Sequence, residues 1–212
     1  MSTTVSLDLD DDVYIRDSTP TTNYNGDNLK IGVGFNLPGV VDRVVIHKDV
    51  TAYLGATVSE AHIAFVSFTP DLSGAAKARR ITTISWAEAT ATWNSPWITP
   101  GLGVSDYTTV GEVDWVTPVT SSPFNLIGLA ALLQDALDNR SGQFHLLLHL
   151  VDEITDSHNV GFRDSEYNPI PTQRPKLVFT YDMNILDLPD IADPAAIYSG
   201  SDAPYVRMRI AG

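Results

Sequence analysis

Five histidines are spread over the chain, His47, His62, His145, His149 and His158. Two of them, in HLLLH at 145–149, have the spacing that puts two imidazoles on one helix face above a zinc ion. The Glu that follows the first His in zinc hydrolases is missing. The surrounding run FHLLLHLV at 144–151 reads as a strand, in which four residues span roughly 13 Å, too far for one ion with bonds of about 2 Å. There is no G-x-S-x-G nucleophile elbow, no phosphate loop and no dinucleotide fingerprint, and Gly32, Gly34 and Gly39 are scattered in strand or hairpin context. No nucleophile, base and oxyanion set converges in the sequence, so the chain is expected not to be an enzyme.

Hard oxygen ligands are more plentiful. Asp8, Asp10, Asp11 and Asp12 precede a loop carrying Asp17, Asn23, Asn25 and Asp27. Of these, Asp12, Asp17, Asn23 and Asp27 are candidate ligands for a structural calcium, the one cofactor the sequence leaves open. Their order does not follow the twelve-residue EF-hand loop, and solvated charge with turn chemistry is the competing reading. Three tryptophans lie close together, Trp86, Trp93 and Trp97, with Trp115 beyond. Trp86 and Trp93 are expected in a core or corner. Trp97, between Pro96 and a Pro/Gly loop, is the candidate for an exposed platform on which a sugar ring could stack. With Tyr107 and the basic Lys77 and Arg79 it makes a candidate carbohydrate site, set against a solvated strand or loop for the basic pair.

These groups need a scaffold, and strand and turn signals dominate the 212 residues. Strands are expected at 12–17, 29–35, 43–50, 61–68, 144–151 and 174–181. In RVVIHKDV, Val44 and Ile46 share one face and Val45 and His47 the other. One helix is expected between 121 and 142, opened by Ser122–Pro123, carried by Leu126, Leu129, Leu133 and Leu137, and closed by NRSG. Residues 1–11 read as an N-terminal arm, 12–181 as a single β-sandwich domain, and 182–212 as a tail. The alternating tip of that tail, YVRMRI at 205–210, offers Tyr205, Val206, Met208 and Ile210 for strand addition to another chain.

Composition narrows the partners. Thirteen Lys plus Arg against 26 Asp plus Glu give a net charge of −13, which disfavours nucleic acid. There is no cysteine, hence no disulfide or thiolate metal site, and no apolar run long enough to span a membrane. The start, MSTTVSLDLDDDVY, has neither a basic nor an apolar signal region, so synthesis without a signal peptide is expected.

Four stretches, DVYIRDSTPTTNYNGDNLKIG at 12–32, RVVIHKDVTAYLGATVSEAHIAF at 43–65, WAEATATWN at 86–94 and VGFRDSEYNPIPTQRPKLVFTY at 160–181, together resemble the DNRLRE-domain family. Trp86, Glu88, Thr92, Trp93 and Asn94 match its W-x-E-x-x-x-T-W-N signature. Asn23, Arg43, Arg163 and Glu166 match its early Asn, strand Arg, and late Arg and Glu. IHKDV stands where the family has R-F-D-L, and Asp164 separates Arg163 from Ser165. The resemblance implies an antiparallel jelly-roll β-sandwich related to carbohydrate-binding modules, with the matching residues mainly architectural. A freestanding sandwich of this kind also resembles accessory proteins of tailed-phage virions. The expectation is therefore a non-catalytic virion protein, made in the host cytoplasm, serving as a tail or baseplate appendage or a capsid decoration. Its partners would be other virion proteins or copies of itself, bound through the termini. The alternative is an adhesin recognising a surface polysaccharide.

Overall fold

The computed structural model describes residues 2–33, 39–68, 73–82, 85–120, 123–154 and 158–183. The expected assembly residues Tyr205, Val206, Met208 and Ile210 lie outside them. The strands are β1 (Thr3–Asp8), β2 (Asp11–Arg16), β3 (Leu29–Val33), β4 (Val41–Asp49), β5 (Ala56–Val66), β6 (Ala75–Ile81), β7 (Tyr107–Val116) and β8 (Pro123–Ile127). After them come helix α1 (Ala130–Asn139), β9 (Gln143–Leu150), β10 (Asn159–Phe162) and β11 (Lys176–Met183). Every strand pairing is antiparallel. One sheet has the order β1-β11-β5-β8; the other runs β10-β3-β4-β9-β6-β7, with β2 also paired to β4. Six of the ten connections between successive strands cross from one sheet to the other, while β2–β3–β4, β6–β7 and β9–β10 stay within the larger sheet, in keeping with a jelly-roll sandwich.

Alternation decides what each face buries. Val44 and Ile46 of β4 and Leu146, Leu148 and Leu150 of β9 enter the core between the sheets, with Ile63, Phe65, Phe162, Leu177 and Phe179. The intervening Val45 and Leu147 join a second apolar cluster with Val13, Ile15, Ile81, Ala91, Trp97 and Leu102. Both faces of β9 are therefore covered, which accounts for its unbroken apolar sequence.

Two expectations are corrected. The expected arm at 1–11 contains β1, paired residue for residue with β11 from Thr3↔Tyr181 to Asp8↔Lys176, with Val5 and Leu7 packed against the core. Acidic neighbours hide this strand because only one of its faces is apolar. The expected helix start is also strand: Pro123–Ile127 pairs with β5, and α1 begins only at Ala130. Proline is tolerated at the first residue of an edge strand, and Leu126 is buried by period-two alternation. The expected helix end is observed. The amides of Arg140 and Gly142 both donate to the Ala136 carbonyl at 3.3 and 2.9 Å, and Gly142 has φ of 79°. A Cβ there would lie 2.6 Å from Thr51 backbone atoms, so the turn requires glycine. No helix among the described residues is long and apolar enough to cross a membrane.

Candidate functional site

The segment from Ser85 to Asp106 lies over the outer face of β2, β4 and β9, and most of the motif residues are the fastenings that hold it there. The Asn23 side-chain amide donates to the carbonyls of Glu88 and Ala91, both at 2.7 Å. Arg43 donates to the carbonyls of Gly101 and Leu102 and to both oxygens of Glu153, and stacks 5.1 Å from the Trp93 ring. Gly101 sits against that same ring: a Cβ on it would be 2.5 Å from Trp93. The Asn94 amide donates to the Pro20 carbonyl at 3.0 Å. Asp106, fully buried, accepts from the amides of Ile98 and Thr99 at 2.7 and 2.9 Å. Trp86 and Trp93 are half-buried against the second cluster.

Trp97 overturns the expectation of an exposed platform. It is 6% exposed, within the second cluster, and its Nε1 donates to the Thr92 carbonyl at 2.7 Å. A Pro-rich flank signals a turn, and here the turn folds the indole inward. The other members of the proposed carbohydrate site do meet. The Arg79 guanidinium lies 4.6 Å over the Tyr107 ring. Lys77 and Arg79 are both held by Glu112, at 2.6 and 2.8 Å, and Lys77 also by Asp114 at 2.5 Å. The basic pair is thus charge-compensated across strands β6 and β7.

His145 and His149 are strand residues. Trp86 Nε1 donates to His145 Nδ1 at 3.0 Å, which places the His145 proton on Nε2. His145 stacks on His47 at 4.4 Å, and His47 is held between Asp11 at 2.7 Å and Gln143 at 2.9 Å. Burial first, then the neighbouring His47 and Arg140, pushes His145 down to about 4. It stays neutral near pH 7.

The four expected calcium ligands do not come together. Asp17 accepts from the Val41 amide at 3.0 Å, and the Asn23 amide nitrogen donates into the covering segment. Asp12 instead joins two carboxylates from distant loops. One oxygen from each of Asp12, Glu88 and Glu166 falls within a mutual distance of 4.8 Å. Asp12 is 1% exposed and Glu88 8%, whereas Glu166 is exposed. The Asp12 amide donates to Glu88 Oε1 at 3.2 Å, and the Ser165 amide donates to Asp12 Oδ2 at 3.0 Å. Burial drives the Asp12 carboxyl well above the ordinary range, and the charges of Glu88, Glu166 and Asp164 add to it despite the Ser165 bond. Burial, then Glu166 beside it, pushes Glu88 up to about 8. Such a cluster can hold a shared proton or a hard cation. Sequence reasoning singled out all three residues, but for separate reasons; a contact across 76 residues has no local signature.

Arg163, the remaining motif residue, is sandwiched between the rings of Phe68 and Tyr167 at 4.5 and 4.2 Å and donates to Asn28 at 3.3 Å. A groove of about 690 Å³ lies elsewhere, between the start of β5 and α1, lined by Gly55–Val58, Ala130, Ala131, Gln134 and Asp138. Gln134 donates to Asp138 at 2.8 Å within its lining. A scan against protein-family models finds no match to this chain, and a search of curated proteins finds no matching relative.

Proposed function

We propose that the chain is a non-catalytic structural component of a tailed-phage virion, a tail or baseplate appendage or a capsid decoration, docking through its terminal segments. The observation that supports this most is the pairing of β1 with β11. Thr3 lies opposite Tyr181, so residues 1–2 and 184–212 attach at one corner of the sandwich, beside the outermost strand of its sheet among the described residues. An alternating segment such as 205–210 can extend a sheet edge of another subunit, backbone hydrogen bonds giving affinity and alternate side chains giving register. Arg43 beneath the covering segment and Asp106 within it are engaged in fastening it. Mass spectrometry of purified particles should find the chain at fixed stoichiometry, and removal of residues 205–212 should deplete it. Absence of the full-length chain from particles rules the reading out.

A second reading, adhesion to a surface polysaccharide, would use the Lys77, Arg79 and Tyr107 group, in which Arg79 lies over the Tyr107 ring and Glu112 holds both cations. On a glycan array, Tyr107→Ala should lose the binding shown by the native chain. Equal binding by the variant removes this site.

A further inference from the structure

We propose that Asp12, Glu88 and Glu166, supported by Asp164, form a calcium-binding site that clamps three separate parts of the chain: strand β2, the covering segment and the 163–166 loop. Ligand oxygens on opposite sides of a calcium ion are about 4.6–5.2 Å apart, given bonds of about 2.3–2.6 Å, so three oxygens within 4.8 Å fit one coordination sphere. None of the three forms an ion pair with Lys, Arg or His among the described residues. With no cation among the described residues to pair with, burial holds Asp12 and Glu88 toward their neutral forms, and a bound cation would displace those protons and supply the missing partner.

A separate observation points to a ligand. Asp164 is 3% exposed and its Oδ1 is buried with no hydrogen-bond partner, as is Ser165 Oγ beside it. Both belong to the loop whose Ser165 amide holds Asp12 and whose Glu166 completes the cluster. Asp164 immediately precedes the Ser165 amide that donates to Asp12, which places it beside the same centre, outside the group of three oxygens. A buried acceptor without a donor is costly, and a cation satisfies it. The hydrogen bonds already made leave lone pairs free, since each carboxylate offers about four acceptor sites. Calcium suits this dry, all-oxygen set better than magnesium, which gives up its water shell reluctantly.

The test uses the full chain stripped with chelator. Calcium at about 10 mM, above the weakest range known for protein modules, should raise Tm by about 3–10 °C, with a smaller shift for magnesium. Terbium should give luminescence sensitised through Trp86, which shares the covering segment with Glu88. Glu166→Gln changes an exposed side chain and should leave the chelator-treated fold intact while losing both responses. Asp164→Asn should weaken them. A native chain whose Tm ignores calcium and that gives no terbium signal overturns the site. So does a full calcium response retained by Glu166→Gln. If Glu88→Gln raises Tm in chelator and the native chain ignores calcium, the cluster holds a shared proton instead, and the proposal fails.

Discussion

The interior between the two sheets and the covered outer face of the larger sheet are both largely dry, yet they are closed in different ways. Between the sheets, aromatic and aliphatic side chains meet one another: Phe65 and Phe162 have ring centroids 4.6 Å apart, and Phe162 touches Trp115 and Phe124 as well. Apolar contact of this kind is non-directional and tolerates many arrangements. The outer face carries a smaller apolar cluster under an irregular segment with few ladder bonds of its own. Its backbone groups are satisfied partly by short turn bonds within the segment and partly by the side chains of Asn23, Arg43 and Asp106. An irregular segment laid over a sheet needs such partners for the backbone groups it turns away from water. Where the fold uses regular structure, packing suffices; where it lays an irregular segment over a sheet, it also uses charged and amide side chains at fixed positions.

Substitutions should separate the two regions. Phe162→Ala, in the inter-sheet core, should cost about 3–5 kcal/mol in urea denaturation and lower the protection of both sheets together. Arg43→Met, on the outer face, should cost about 2–3 kcal/mol by leaving the Gly101 and Leu102 carbonyls and the Glu153 carboxylate without their donor. Hydrogen exchange should then rise mainly over 85–106. A uniform rise across both sheets would show that the two regions are one cooperative unit. Trp97→Phe keeps most of the buried ring and removes the bond to the Thr92 carbonyl, for a loss of about 1 kcal/mol in the same assay.

A further effect is expected on the pH dependence of Tm in chelator. Glu88 titrates near 8 in the folded chain against 4.5 ordinarily, so its contribution is full below about pH 4.5 and is lost as pH rises toward 8. Glu88→Gln should flatten Tm over that window. His145 works the other way: at about 4 against 6.5, its contribution is full above pH 6.5 and lost as pH falls toward 4. The variant should therefore keep its acid-side decline.

The same contrast explains what could be read from the residues. Strands β4, β5 and β11 alternate and β9 is apolar along its length, and all four are legible to within about five residues. Strand β6 buries only Ala76 and Ala78 on its inner face, and β7 is largely exposed, so neither has a hydrophobic signature. Strand β1 is masked by polar neighbours. On the outer face, residue types and spacing do not say what each side chain touches. Trp97 illustrates the limit: residue type and a flanking proline do not say which way an irregular loop turns its side chain.

The corner at which β1 meets β11 has a mechanical meaning. A load applied between residues 2 and 183 would act across the end of an antiparallel pair, parting Thr3 from Tyr181 first and then each rung in succession. Bonds broken singly resist far less than bonds sheared together. Tension carried through both ends of the sandwich would peel its outermost strand like a zip, whereas tension carried through the tail alone would pull along β11, which is flanked by β1 and β5.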